Sequence, residues 1–111
     1  MKAQLYKIVN TQNPTMVYVG ITTQPLKQRL KKHKYQARNG LWKLPFHYYI
    51  VNENEWDIHL IKELDAETKK DLYLEEAKAI TEIGTLNVNI FSVTNGKGTY
   101  LKNPNIISQL N

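Results

Sequence analysis

The sequence at residues 3–21 is AQLYKIVNTQNPTMVYVGI, and its pattern is that of a β-hairpin. Residues 5–9 and 16–21 are rich in β-branched and aromatic side chains, which are enriched in strands. The segment between them, NTQNP at residues 10–14, has the composition of a turn. The sequence therefore predicts two antiparallel strands, with Tyr6 on the first and Tyr18 on the second.

A basic amphipathic helix is predicted directly after the hairpin. We expect Thr22 or Thr23 to cap a helix over residues 25–37, with Pro25 near its first position, where a missing N–H carries no penalty. Its predicted buried face consists of residues at helical spacing: Leu26, Leu30, His33 and Ala37. The other positions are mostly lysine, so the exposed face of this helix is strongly cationic.

The second half of the chain is expected to add one strand and one long helix. Residues 45–51 favour a short helix, and residues 56–64 alternate apolar and polar side chains as a third strand does. Asp65 is expected to cap a helix over residues 66–83, which Gly84 ends.

These elements predict one α+β domain over residues 1–91. Its centre is a three-stranded antiparallel sheet, with the strands in the order in which they occur along the chain, packed against the helices at 25–37 and 66–83. Residues 86–90 are expected to form a short extended segment. Residues 92–111, rich in Asn, Gly, Ser and Lys, are expected to be a tail and not a separate domain.

Charge is distributed unevenly along the chain. The net charge is +5 and the pI about 9.4, but residues 1–52 contain nine Lys or Arg and no acidic residue. All ten acidic residues lie between Glu53 and Glu82, where only four lysines accompany them. A half-chain without carboxylates is typical of a surface that binds a polyanion such as nucleic acid. The alternative is an ordinary solvated lysine-rich face.

Composition argues against several classes of protein. No apolar run approaches the roughly 18–20 residues of a membrane span, and the N-terminus lacks the features of a secretory signal. The absence of cysteine excludes disulfides and thiolate metal sites, and His33, His47 and His59 lack the spacing of a zinc site. We therefore expect a cytoplasmic protein that does not associate with membranes.

Tyr6 and Tyr18 have the same parity on the two hairpin strands. If paired residue numbers sum to 24, the tyrosines lie directly opposite each other, with Cβ atoms roughly 5 Å apart. A one-residue change of register would place them on opposite faces of the sheet. Packing on a half-buried strand is the alternative explanation for each tyrosine.

Glu76 interrupts the apolar face of the second long helix. Leu72, Glu76 and Ile80 are successive i, i+4 neighbours, whereas Glu75 points toward the polar side. A carboxylate among apolar residues must be paired, protonated or bound to a metal ion. The alternative is that Glu76 lies at the edge of this face and reaches an arginine or a lysine.

Arg29 and His33 lie one turn apart on the basic helix. Arg29 is the only arginine within residues 25–37, and its planar guanidinium suits bidentate contact with phosphate better than an ammonium group does. His33, taken alone, is also consistent with a histidine at the edge of the core.

The ordered set of these residues resembles the GIY-YIG nuclease family. The first motif of the family, Gly-Ile-Tyr, corresponds to QLY at residues 4–6, and the second corresponds to YVG at residues 18–20. Arg29 and His33 match the arginine and histidine that the family places four positions apart on a helix.

The resemblance extends to residues 3–90. Glu76 matches the glutamate that the family places four residues before an isoleucine, and Asn89 matches the asparagine that closes the domain. Two positions depart from the family pattern. Gln4 stands where the first motif has glycine, and Trp42 stands near the position of a functional histidine found in some homing members.

The resemblance implies an enzyme that hydrolyses phosphodiester bonds in nucleic acid, expected to be DNA, with Mg²⁺ or Mn²⁺ as cofactor. Glu76 would be the metal ligand, and Arg29 would stabilise charge on the phosphate. Tyr6 or Tyr18 would position or deprotonate the attacking water, assisted by His33. Further residues are expected to contact the substrate: Gly20, Lys27, Lys31, Lys32, Lys34, Arg38, Lys43 and Asn89.

A catalytic domain of this size offers little area for reading a base sequence, since specific protein–DNA interfaces bury on the order of 1,000 Å² or more. Stringent site choice is therefore expected to need a homodimer or a fused or separate specificity partner. Two other functions stay open on the sequence alone. One is a catalytically weakened nucleic-acid-binding module, which Gln4 and Trp42 favour, and the other is an adaptor that uses the acidic segment at residues 53–82.

Overall fold

A three-stranded antiparallel sheet with a helix on each face forms the body of the protein. The computed structural model describes residues 1–40 and 44–87 and the short segments 93–94 and 100–101. The elements are β1 (Lys2–Asn10), β2 (Val17–Thr22), α1 (Leu26–Arg38), two 3₁₀ turns (Pro45–Tyr49 and Glu53–Glu55), β3 (Trp56–Asp65), α2 (Lys69–Ile83), β4 (Val93–Thr94) and β5 (Tyr100–Leu101). The predicted α+β fold class is confirmed.

The strand order is β2-β1-β3, with β1 in the centre and both neighbours antiparallel to it. This order differs from the predicted one, in which the strands followed their order along the chain. The reason is that β3 returns after the long α1 connection and pairs with the side of β1 that the hairpin leaves free. The central strand is accordingly buried along most of its length, whereas β3 is largely exposed.

The hairpin register differs from the predicted one by two residues. Tyr6 pairs with Gly20 and Tyr18 pairs with Ile8, so paired residue numbers sum to 26 and not to 24. The turn is longer because the side chain of Asn10 accepts hydrogen bonds from two backbone N–H groups of the turn, at 2.9 and 2.8 Å. A two-residue shift preserves parity, and the tyrosines therefore still share one face of the sheet.

Helix α1 begins at Leu26, and Pro25 occupies the capping position without a side-chain hydrogen bond. The prediction that Thr22 or Thr23 caps this helix is wrong, because the hydroxyl of Thr22 instead accepts from the N–H of Gln24 and closes the preceding turn. The predicted buried face is confirmed. His33 and Ala37 are buried, and the two leucines pack partly buried against the same cluster: Leu26 and Leu30.

Helix α2 begins at Lys69, three residues later than predicted. Asp65 does not cap it, because Asp65 is the last residue of β3 and pairs with Lys2. The capping residue is Thr68, whose hydroxyl accepts from the N–H of Asp71 at 3.2 Å. The helix ends at Ile83, as predicted.

The two faces of the sheet hold separate cores. Odd-numbered residues of the hairpin, such as Leu5 and Val19, pack against α2. Even-numbered residues, such as Tyr6 and Ile8, pack in a cluster with Ala37 of α1 and with the first 3₁₀ turn. Helices α1 and α2 thus lie on opposite faces, and residues from both come together near the end of β2. No helix in the described part of the chain is long and apolar enough to span a membrane.

The outer edge of β2 is covered by the segment that follows α2. The hydroxyl oxygen of Thr85 accepts from the N–H of Val17 at 2.8 Å, and the N–H of Leu86 donates to the carbonyl oxygen of Val17 at 2.9 Å. The amide of Asn87 binds both backbone groups of Val19, at 2.7 and 2.5 Å. These contacts take the place of a fourth strand. Residues 88–90 of the predicted extended segment lie outside the described residues.

Candidate active site

Tyr6 occupies the centre of a buried aromatic and polar cluster on the α1 face of the sheet. Its side chain is fully buried, and its ring crosses β2 directly above Gly20. A Cβ atom at residue 20 would lie only 2.5 Å from the Tyr6 hydroxyl oxygen. Tyr18 lies diagonally across the hairpin, with its ring centroid 6.3 Å from that of Tyr6, and stacks on Phe46 at 4.3 Å.

His33 connects this cluster to α1. Its side chain is fully buried, with Nε2 3.0 Å from the Tyr6 hydroxyl oxygen and Nδ1 2.8 Å from Nε2 of His47. Burial, aided by the nearby positive charge of Arg29, lowers the pKa of His33 to about 3. Burial also lowers the pKa of His47. Both imidazoles are therefore neutral at neutral pH.

The tyrosine hydroxyls are electrostatically coupled to residues of both helices. Burial raises the pKa of Tyr6, the guanidinium of Arg29 acts in the opposite direction, and the carboxylate of Glu76 adds to the rise. Burial also raises the pKa of Tyr18, and the charges of Tyr6 and Glu76 raise it further. The two tyrosines of the sheet are thus close enough to Arg29 of α1 and Glu76 of α2 for these charges to change their pKa values.

Glu76 is a half-buried carboxylate without a cationic partner among the described residues. Burial raises its pKa, and it takes part in no ion pair or hydrogen bond within that part of the chain. The neighbouring Glu75 behaves differently, since its carboxylate lies 3.5 Å from the ammonium group of Lys62. The alternative in which Glu76 reaches an arginine or a lysine is therefore not what the structure shows.

Arg29 and Glu76 line the same surface cleft, which has a volume of about 570 Å³. The cleft lies between α1 and α2 at the end of β2, and Lys32 and Lys69 also line it. Tyr6 and the rest of its buried cluster lie behind the cleft and do not line it. The site therefore has an open part with charges of both signs and a buried part with hydroxyl and imidazole groups.

Comparison with known proteins identifies the family to which this arrangement belongs. The family model of the GIY-YIG catalytic domain matches residues 2–82, which is most of the chain. This chain belongs to the GIY-YIG family. Among solved structures it is similar to the catalytic domain of intron endonuclease I-TevI, with a TM-score of 0.61 and 28% sequence identity. The match covers 85% of this chain and 98% of that domain.

A search of curated proteins found no match. The family match and the likeness to the I-TevI domain together show that the chain is a nuclease. Of the residues singled out as catalytic, Arg29 and Glu76 line the cleft, and Tyr6, Tyr18 and His33 belong to the buried cluster behind it.

The cationic side chains of this GIY-YIG domain differ in how free they are to bind phosphate. Lys27, Lys31 and Lys32 are exposed on α1, and Lys34 is half-buried. Arg38 is not free, because its guanidinium forms two hydrogen bonds with the carboxylate of Glu53, at 2.8 and 2.6 Å. Phosphate would therefore have to compete with Glu53 for the exposed guanidinium of Arg38, and its predicted contact with substrate stays a prediction.

Gly20 was expected to contact the substrate, and the structure gives it a packing role as well. The space above it is filled by the Tyr6 hydroxyl and the edge of the Tyr18 ring. The glycine of the second GIY-YIG motif therefore makes room for the tyrosine of the first. Lys43 and Asn89, which were also expected to bind substrate, lie outside the described residues, as does Trp42.

His47 was not singled out as a site residue from the sequence. It lies in the first 3₁₀ turn, 14 positions beyond His33, and the two imidazoles meet only because α1 and this turn pack together. No spacing rule relates the two residues. The available signal was weaker: a histidine between Phe46 and Tyr48 in a segment expected to form a short helix.

Proposed function

We propose that this GIY-YIG nuclease is a divalent-metal-dependent endonuclease that hydrolyses phosphodiester bonds in DNA. The observation that supports this most strongly is the half-buried carboxylate of Glu76, which lacks a cationic partner among the described residues and lines one cleft with Arg29 and Lys32. One anionic side chain and three cationic ones, Lys69 being the third, thus border a space that a phosphate and a small cation could share.

The chemistry of Glu76 fits Mg²⁺ or Mn²⁺. Divalent metal dependence is general among GIY-YIG nucleases. Mg²⁺ is typically bound through one or two carboxylates, with water and phosphate oxygens completing its shell. The described part of the chain holds no group of three or more His, Cys, Asp or Glu that could bind a metal ion, so Glu76 would act as the single protein ligand. A bound cation would withdraw charge from the scissile phosphate.

Arg29 is suited to stabilise the negative charge that develops on the phosphate during hydrolysis. Its guanidinium is half-buried and lines the cleft, and donors fixed in such a place act more strongly than they do in water. Lys32 supplies a second positive charge in the same cleft, from the exposed side of α1. Arg29 therefore acts on the reacting phosphate, whereas the lysines bind the flanking backbone.

Tyr6 is better suited than Tyr18 to carry negative charge while it acts on the attacking water. Burial raises the pKa of both hydroxyls, but for Tyr6 the guanidinium of Arg29 is the strongest opposing influence. For Tyr18 the charges of Tyr6 and Glu76 also raise the pKa, and each has a larger effect than the opposing charge of Arg29. His33 holds the Tyr6 hydroxyl in place through a 3.0 Å hydrogen bond.

DNA is the proposed substrate because the cations of α1 form an exposed row beside the cleft. Lysines along one helix face neutralise phosphates without reading bases, so binding would depend little on sequence. Selection of particular sites would then need a second copy of the chain or a separate partner.

A plasmid-nicking assay with and without Mg²⁺ tests the proposal, and Glu76→Gln and Glu75→Gln form a matched pair. Wild-type protein and Glu75→Gln should nick in the presence of metal, whereas Glu76→Gln should not. Glu75 is a sharp control because it is adjacent on α2 but pairs with Lys62 outside the cleft. Binding of DNA without metal-dependent cleavage would instead support the weakened module, and the absence of both would support the adaptor.

A further inference from the structure

A chain of hydrogen bonds leads from the peptide backbone at Leu44, where it is part-buried, to the fully buried Tyr6 hydroxyl. The N–H of Leu44 donates to Nδ1 of His47 at 3.4 Å, Nε2 of His47 lies 2.8 Å from Nδ1 of His33, and Nε2 of His33 lies 3.0 Å from the Tyr6 oxygen. His47 is 1% exposed, and His33 and Tyr6 are 0% exposed. Among the described residues no buried side-chain polar atom lacks a hydrogen-bond partner.

The backbone end of this chain determines the direction of every bond in it. A backbone N–H can only donate, so Nδ1 of His47 is the acceptor, and a neutral His47 must carry its proton on Nε2. That proton is donated to Nδ1 of His33, which therefore carries its own proton on Nε2. His33 then donates to the oxygen of Tyr6.

The opposite direction is disfavoured by the same geometry. If His33 accepted the Tyr6 proton on Nε2, its own proton would lie on Nδ1 and point at His47. His47 would then carry its proton on Nδ1, facing the N–H of Leu44, and two donors would oppose each other at a part-buried position. The 3₁₀ turn and the ring of Phe46, 5.3 Å from that of His33 and nearly perpendicular to it, hold both imidazoles in this arrangement.

We propose that His47 is a positioning residue that holds His33 in the Nε2–H tautomer, so that His33 donates a hydrogen bond to the Tyr6 oxygen and does not accept one from it. This inference rests on the proposed function in assigning Tyr6 to the attacking water. The Tyr6 O–H is then directed away from His33, and the His33 N–H stabilises negative charge on the Tyr6 oxygen instead of accepting its proton. His33 is in this role a donor and not the base that deprotonates Tyr6.

Two substitutions of His47 separate hydrogen bonding from packing. His47→Leu replaces the imidazole with an apolar side chain of similar bulk, which has no donor for Nδ1 of His33. His47→Gln places an amide N–H near the position of the imidazole Nε2 and can restore the donor. We expect kcat for nicking to fall roughly 10- to 100-fold in His47→Leu, as for residues that orient a functional histidine. KM should change little, and His47→Gln should recover most of kcat.

Nitrogen-15 NMR of the imidazole rings reads the tautomer directly and does not depend on activity. The full chain contains only three histidines, so single substitutions assign the signals. Wild-type His33 should show a protonated Nε2 and an unprotonated Nδ1, and His47→Leu should lose this fixed pattern. His59→Leu is the matched control, because His59 is exposed on β3 and its loss should change neither the His33 signals nor the rate.

Three results would overturn the assignment. They are a wild-type His33 protonated on Nδ1, a folded His47→Leu variant with wild-type kcat, and a His47→Gln variant as slow as His47→Leu. If His47→Leu does not fold, the wild-type tautomer still decides the question. A wild-type protein that cuts no DNA with any divalent metal would refute the proposed function, whereas the tautomer of His33 would still test the role of His47.

Discussion

Gly20→Ala introduces a single methyl group at the point where the two tyrosine strands touch. Its Cβ would lie 2.5 Å from the Tyr6 hydroxyl oxygen and 2.6 Å from the carbon that bears it. Ordinary contacts begin near 3.4 Å, so the phenol must move by roughly 0.9 Å. Tyr6 is fully buried and cannot swing aside, and overpacking of this kind is destabilising by about 1–3 kcal/mol.

The expected consequence is a loss of both stability and activity. At about 4–8 °C per kcal/mol for a domain of this size, Tm should fall by roughly 5–20 °C. Displacement of the Tyr6 hydroxyl by close to 1 Å should reduce kcat about 100-fold at a temperature where the variant is still folded. Differential scanning calorimetry and a nicking assay measure the two effects separately.

Gly40→Ala is the matched control for this experiment. Gly40 has a φ of +68° and no atom within 4 Å of the added Cβ, so the substitution should cost about 1–2 kcal/mol through backbone strain alone. It should lower Tm without changing the rate of nicking. The reasoning would be refuted by a Gly20→Ala variant that nicks at the wild-type rate, or by equal losses of rate in both variants.

Three further outcomes are expected. Because burial raises the pKa of Glu76, ionisation of its carboxyl group destabilises the folded state. Glu76→Gln should therefore raise Tm at neutral pH without metal, and calorimetry should show that this gain is lost as the pH falls to the ordinary pKa of 4.5. DNA-binding isotherms over a salt series measure how many phosphates the protein contacts. Replacement of Lys31 and Lys32 by alanine should flatten the slope of log K against log salt by up to about 1.8. Arg38→Ala should flatten it by less than about 0.9, because Glu53 already pairs with Arg38, and an equal effect per residue would contradict this. Arg29→Ala should reduce kcat at least 100-fold and remove at most one contact from the same slope, and a variant that still cuts would exclude its role at the phosphate.

The periodicity of apolar residues in the sequence was sufficient to predict which face of each hairpin strand and of α1 is buried. The parity of Tyr6 and Tyr18 held although the register shifted, because a two-residue shift leaves every side chain on its face. The buried face of α1 held for the same reason, since His33 and Ala37 follow the helical period. Glu76 was identified because it broke that pattern.

What the sequence could not supply depended on contacts between distant segments. The start of α2 differs from the predicted one because Thr68, and not Asp65, caps the helix. Asp65 is unavailable as a cap, since it is the last residue of β3 and pairs with Lys2. The pairing of Arg38 with Glu53 joins residues on different elements. The contact between His33 and His47 likewise depends on how α1 packs on a 3₁₀ turn, which no local pattern records.

The segment Thr85–Asn87 has a consequence for anyone who wishes to excise the nuclease as a portable cleavage module for fusion proteins. The family match ends at residue 82, which is the natural place to cut on the basis of homology alone. A fragment cut there would lack the side chains that form hydrogen bonds with the backbone of Val17 and Val19. The exposed edge of β2 could then pair with a strand of another molecule. A fragment must therefore extend beyond the end of the family match, at least through Asn87, to keep the two side chains that cover this edge.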